Sequence, residues 1–125
     1  MDTNAAPHPG RCYRDLVVWQ QAIELVTEVY RNTDSFPDRE RFGLTAQIRR
    51  AAVSVPSNVA EGQGRLTKGE FKQFLGHARG SLLEVETQIV IARNLSYVTG
   101  VQSQALLKRT SEVGRMLNGL VQSLR

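Results

Sequence analysis

The sequence predicts an all-α protein, an antiparallel up-and-down four-helix bundle. Three observations carry this. Apolar residues recur at steps of three and four along four long segments, no segment holds a strand-like alternation, and short clusters of turn-forming residues separate the segments. With a 41% apolar share and only 6% aromatics, Leu, Val, Ile and Ala must build most of the core. At 125 residues the chain reads as one domain, large enough to bury that core without disulfides or metal.

The first segment, "MDTNAAPHPGR", has two prolines, a glycine and no apolar periodicity, so residues 1–13 are expected to be a disordered leader and 14–125 the bundle. Asp15 is the expected N-cap of the first helix, since its carboxylate can accept from the orphan amides of the first turn. Leu16, Trp19, Ile23, Val26 and Tyr30 then form a stripe, widened by Ala22 and Val29 and ending near Thr33. "NTDSFPD" supplies the turn, with Pro37 or Asp38 able to begin the second helix.

In the second helix Leu44, Ile48, Ala51, Val55 and Val59 keep one apolar phase on both sides of Pro56. A loop would be expected to reset the phase, so a single helix kinked at the proline is predicted, with a fresh start capped by Ser54 as the alternative. Gln47, Arg50, Ser54, Asn58 and Glu61 form a second, polar line at the same spacing. Buried charges are costly unless paired. The preferred reading is therefore a hydrogen-bond and ion-pair network with Glu84 or Glu86 of the third helix, fixing helix register or a subunit boundary. An anion site is the other reading.

Gly62 and Gly64 are expected to end the second helix in left-handed backbone geometry. "TKGE" gives the third helix a capping box of Thr67 and Glu70. Phe71, Phe74, Leu75, Ala78, Leu82, Val85, Ile89 and Ala92 carry its stripe toward a stop near Thr99 and Gly100, with Leu83, Val90 and Ile91 off the main line. Ser103 is the expected cap of the fourth helix, whose stripe is Leu106, Val113, Leu117, Leu120, Val121 and Leu124.

Composition excludes several classes. Cys12 is the only cysteine, so no internal disulfide framework exists, and neither a secretory leader nor an 18-residue apolar span is present. A soluble cytoplasmic protein is expected. "GQGRLTKG" lacks the phosphate-loop spacing and a preceding strand. His77 has no second ordered histidine, so no metal or catalytic set assembles, and the chain reads as a non-enzyme without a cofactor. Gly80 and Ser81 read as a small-residue packing patch.

The segments "DLVVWQQAIELVTEVY", "GLTAQIRRAAVSVPSNVAEGQGR" and "FLGHARGSLLEVETQI" resemble the four-helix-bundle proteins often encoded within intervening sequences of bacterial 23S ribosomal RNA genes. The resemblance covers Asp15 to Ala92, and it implies a homo-oligomer, a ring of five subunits. It extends more distantly to the accessory variability proteins of diversity-generating retroelements, basic bundles that bind nucleic acid and a reverse transcriptase.

The net charge of +4 acquires a location between Gly62 and Gly80, where Arg65, Lys68, Lys72 and Arg79 stand against Glu70 alone. The start of the third helix is where an anion would be favoured by the helix dipole. These four residues are the candidate nucleic-acid contacts, and Gln47, Arg50, Ser54, Asn58, Glu61 and Glu84 the candidate assembly network. Arg93, Lys108, Arg109 and Arg115 read as a solvated face. No aromatic and basic residues interleave, so any RNA contact would be to backbone and shape. The predicted function is a non-enzymatic homo-oligomer with RNA as the fitting anionic partner. The alternative is a structural or protein-binding scaffold.

Overall fold

The computed structural model describes residues 12–125. Of the expected leader, only Cys12 and Tyr13 fall within them; the rest lies outside the described residues. Four long helices follow a 3-10 turn at Tyr13–Asp15: α1 (Val17–Thr33), α2 (Leu44–Gln63), α3 (Lys68–Asn94) and α4 (Gly100–Ser123), with a second 3-10 turn at Asp38–Glu40. Each helix packs on its neighbours in the chain and α4 returns to α1, while the diagonal pairs do not meet. The direction of each pair shows in its contacts. Ser54 meets Ser81 while a Cβ on Gly62 would meet Phe74, and Glu86 meets Thr110 while Arg79 meets Asn118. Rising numbers on one helix match falling numbers on the next, as an up-and-down bundle requires.

One core runs through all four helices, from Leu25 and Val29 of α1 through Val55, Val59, Phe71, Leu75 and Ile89 to Val113 and Leu117 of α4. A smaller cluster of Phe36, Ala92 and Val98, flanked by Leu44 and Tyr97, closes one end. The α2 and α3 stripes lie where the spacing places them. The α1 stripe is turned by about one residue: Val18, Ala22, Leu25 and Val29 are buried, whereas Ile23 and Tyr30 are exposed. Trp19 and Val26 pack against the core from its margin and, with Ile23, line a shallow groove against Val53 and Pro56 of α2. Both lines are apolar, and the one nearer the bundle axis forms the core.

α2 runs unbroken through Pro56, which is buried, so the phase argument holds and the fresh start capped by Ser54 does not occur. Its beginning differs from expectation. Pro37 precedes only a three-residue 3-10 turn, and α2 starts at Leu44, whose amide donates to Glu40 Oε1 at 3.2 Å. Glu40 thereby does the capping that Gly43, without a side chain, cannot.

The termini bring further corrections. Asp15 is not the cap of α1; Leu16 is, with no side-chain bond, because the 3-10 turn carries the chain one residue further and buries Leu16. Gly64 ends α2 at φ −78°, so neither it nor Gly62 is left-handed. Gly62 is needed for proximity instead, since a Cβ there would lie 2.7 Å from Phe74 Cβ. Thr67 does cap α3, accepting from the Glu70 amide. Ser103 does not cap α4. Thr99 and Gln102 form a full capping box, and Ser103 turns inward to donate to the Gly100 carbonyl.

Candidate nucleic-acid interface and polar groove

The α2 polar line meets α3 along one seam. Residues four apart share a helix face, so Asn58 lies over Ser54, and its Nδ2 donates to the Ser54 carbonyl at 2.8 Å and to Ser54 Oγ at 2.9 Å. Ser54 Oγ lies 2.8 Å from Ser81 Oγ on α3. Ser81 is small enough to admit that approach, and the contact crosses the seam.

Beyond it the helices leave a groove of about 390 Å³, bordered by Gln47, Arg50 and Ser54 of α2 and Ser81, Glu84 and Gln88 of α3. The structure thus brings Gln47, Arg50, Ser54 and Glu84 together, with Asn58 behind Ser54. Glu61 is exposed and does not line the groove. Arg50 and Glu84 are exposed as well, and the ion pairs among the described residues are Arg31 with Glu28 and Arg49 with Asp34. The expected ionic link from Arg50 to Glu84 or Glu86 is therefore not made within the chain. Glu86 Oε2 lies 2.7 Å from the hydroxyl of Thr110, a fully buried residue of α4.

Gln88 was not among the expected residues. It is 9% exposed, and its Oε1 has no hydrogen-bond partner. The signal for it was its place one turn beyond Glu84 on the α3 line that faces the polar line of α2.

The basic residues gather where α2 hands over to α3. Arg65, in the connecting turn, lies with its guanidinium 4.5 Å from the centre of the Phe74 ring, which holds it over the first turns of α3. Lys68 opens α3 and Lys72 follows one turn later on the same side. Thr67 takes the Glu70 amide, and the Phe71 amide bonds the Thr67 carbonyl, so the amides of Lys68 and Gly69 remain at the positive end of the helix dipole. Arg79 stands further along and donates to Asn118 Oδ1 of α4 at 3.4 Å, so it belongs to the α3–α4 edge. The patch is therefore compact for three of its four members. Such a concentration of cations at a positive helix end is self-repelling, and an anion relieves it.

His77 is exposed with its ring edge against Phe74. Among the described residues no group of His, Cys, Asp and Glu is arranged to hold a metal ion, and no helix is long and apolar enough to cross a membrane. "GQGRLTKG" is a helix end, a turn and a helix start.

No curated protein matches this chain. A solved structure similar to it is that of a protein of unknown function from Bacteroides thetaiotaomicron, described as from the S23 ribosomal protein family. The likeness has a TM-score of 0.76 at 19% identity and covers 84% of this chain and 98% of the other. At that identity it shows the shared bundle fold. The family model described as 23S rRNA-intervening sequence protein matches residues 14–119, which takes in all of α1, α2 and α3 and most of α4. A match over nearly the whole bundle identifies the chain as a member of the family of 23S rRNA-intervening sequence proteins.

Proposed function

We propose that the protein is a non-catalytic homo-oligomer, a ring of five bundles, that associates in the cytoplasm with structured RNA through the start of α3. The observation that carries this reading is the meeting of Arg65, Lys68 and Lys72 with two amides that have no partner in the chain at one helix N-terminus, against Glu70 alone between Gly62 and Gly80. Each patch neutralises only a few phosphates, so one copy binds weakly. Repetition by ring symmetry raises the effective concentration and makes weak sites useful together. Of the polar line, Asn58 and Ser54, bonded to each other and on to Ser81, support assembly by holding α2 and α3 in one register, which keeps the subunit surface constant. Arg79 extends the basic surface toward α4.

The test is a fluorescence-anisotropy titration of structured RNA and of duplex DNA at low and near-physiological salt, with light scattering alongside. Arg65→Glu with Lys68→Glu is expected to weaken RNA binding and to lower the slope of log K against log salt by about one per cation removed, at unchanged mass. Unaltered binding would remove the patch from the reading. No binding by the parent protein at low salt would favour a purely structural scaffold. That alternative draws support from the outward apolar residues of α3, Leu83, Val90 and Ile91, which are 42–55% exposed.

A further inference from the structure

Two apolar features of the surface are left over by the bundle, one a knob and the other a hollow. The knob is Phe42, in the turn before α2. Of the large apolar side chains outside the core it is the most exposed, at 87%. The Arg41 guanidinium lies 5.4 Å from its ring centre and leaves most of the ring bare. The backbone around it is nevertheless fixed, since the Arg41 amide donates to the Asp38 carbonyl, the Gly43 amide to the Glu40 carbonyl and the Leu44 amide to Glu40 Oε1. A fixed turn presents the ring in one place, so little freedom is lost when a partner takes it up.

The hollow is the groove between α1 and α2, about 280 Å³, walled by Tyr13, Trp19, Ile23 and Val26 on one side and by Val53 and Pro56 on the other. Two of its walls are aromatic, the Tyr13 ring standing edge-on to Trp19 with centres 5.3 Å apart. Ile23 and Val53 remain 37% and 40% exposed, so the chain does not fill this groove itself. Tyr30, two turns beyond Ile23 on the same face of α1, is 41% exposed and extends the apolar border. Phe42 cannot reach the groove of its own molecule. It precedes α2, and Val53, the nearest α2 wall, lies about 14 Å along the helix axis from Leu44.

We propose that Phe42 of one chain inserts into the α1–α2 groove of a second copy, and that this contact joins the subunits. It rests on the homo-oligomer proposed above and is independent of RNA. An aromatic ring seated in an apolar pocket is the form that the energetic centre of a protein interface takes. Knob and hollow lie on different parts of the surface, so the contact is head-to-tail: each copy gives its Phe42 to one neighbour and receives the ring of the other. A head-to-tail contact is what a closed ring requires, whereas a two-fold dimer sets one patch against itself.

The test combines light scattering over a dilution series of the full chain with cross-linking. Phe42→Ala on the knob and Val53→Glu in the hollow are each expected to raise the concentration at which the oligomer half-dissociates by about tenfold or more, with helix content in circular dichroism unchanged. In a Cys12→Ser background, Arg41→Cys with Ser57→Cys in one chain is expected to give, with a short bismaleimide, a ladder of covalent multimers up to the mass of the intact oligomer. Either cysteine alone is expected to give none. A monomeric parent chain overturns the contact together with the oligomer on which it rests. An oligomeric parent that neither Phe42→Ala nor Val53→Glu shifts overturns this contact alone and leaves the oligomer standing. A shift by only one of the two variants overturns it as well, because knob and hollow then have different occupants, and so does absence of the ladder.

Discussion

Arg49 and Arg50 are adjacent in sequence and opposite in circumstance. Arg49 Nε donates to Thr33 Oγ1 at 2.8 Å, its Nη2 to Asp34 Oδ1 at 3.1 Å and to the Tyr30 carbonyl at 3.4 Å, and its guanidinium lies 4.5 Å from the Tyr30 ring centre. It takes up carbonyl and hydroxyl groups at the C-terminal end of α1, where a cation also suits the dipole. Arg50, about 100° around the same helix, has no ion pair among the described residues and borders a groove. The difference separates two uses of a polar residue in a bundle. Where every donor finds an acceptor inside the chain, the cluster holds the chain together. Where facing groups stay apart and exposed, as Arg50 and Glu84 do, the cluster faces solvent and adds little to the fold.

The largest expected effect follows directly from that contrast. Arg49→Ala removes hydrogen bonds made by a charged group whose side chain is 27% exposed, and is expected to cost about 1–3 kcal/mol in denaturant unfolding. Arg50→Ala in the same assay is expected to change stability by no more than about 0.5 kcal/mol, as for other exposed positions outside a packed or bonded feature. Equal losses for the two variants would erase the distinction between a closed cluster and an open one.

The same pair marks how far the sequence could be read. Arg50 stands on the α2 polar line at a helical spacing, so its alignment with Gln47 and Ser54 was visible beforehand. The partners of Arg49 were not, because Thr33 and Asp34 are reached only once α1 and α2 fold back together. Gln88 escaped for a related reason: helical periodicity assigns apolar residues to the core and says nothing of a polar residue packed at its margin. In α1 two apolar lines lie side by side, and only packing against α2 and α4 decides that Leu25 is inside and Ile23 at the edge. Thr99 and Gln102 follow the same pattern as Thr67 and Glu70, so the cap of α4 is legible four residues before Ser103. The Phe36, Ala92 and Val98 cluster joins the α1–α2 and α3–α4 connections to the last turn of α3, which no local pattern reveals.

A smaller effect is expected on the outward side of α3. Gly62 is closed in by Phe71 and Phe74, whereas a Cβ on Gly80 would meet nothing within 4 Å. In an isolated bundle Gly80→Ala therefore gains helix stability, about 0.5–1 kcal/mol, by reducing the backbone freedom lost on folding. Thermal melting read together with light scattering decides whether this face is open in solution. A gain at unchanged mass leaves it facing water. A loss accompanied by a drop in mass places a neighbouring subunit against it and moves the assembly contact to this side of the molecule.

The smallest effect concerns the closed end of the bundle, where Glu40 Oε1 accepts from the Leu44 amide and Oε2 accepts from the Tyr97 hydroxyl at 2.9 Å. The amide bond first, and the Tyr97 bond second, hold the Glu40 carboxyl below the ordinary carboxylate range. Below its unfolded pKa, the unfolded chain binds this proton more readily than the folded one. Glu40 therefore contributes its full stabilisation above the unfolded pKa, and that contribution is lost as pH falls through the lowered folded pKa. Tyr97→Phe removes one of the two bonds and is expected to raise the Glu40 pKa part of the way in a carbon-13 NMR titration, narrowing the window of lost stability without closing it, because the Leu44 amide stays. Glu40→Gln removes the carboxyl and with it this contribution to the acid limb of the stability curve. A Glu40 titration that Tyr97→Phe leaves unmoved would mean that the Leu44 amide alone sets it, and that the bond from the α3–α4 connection contributes position but no charge stabilisation to the α1–α2 turn.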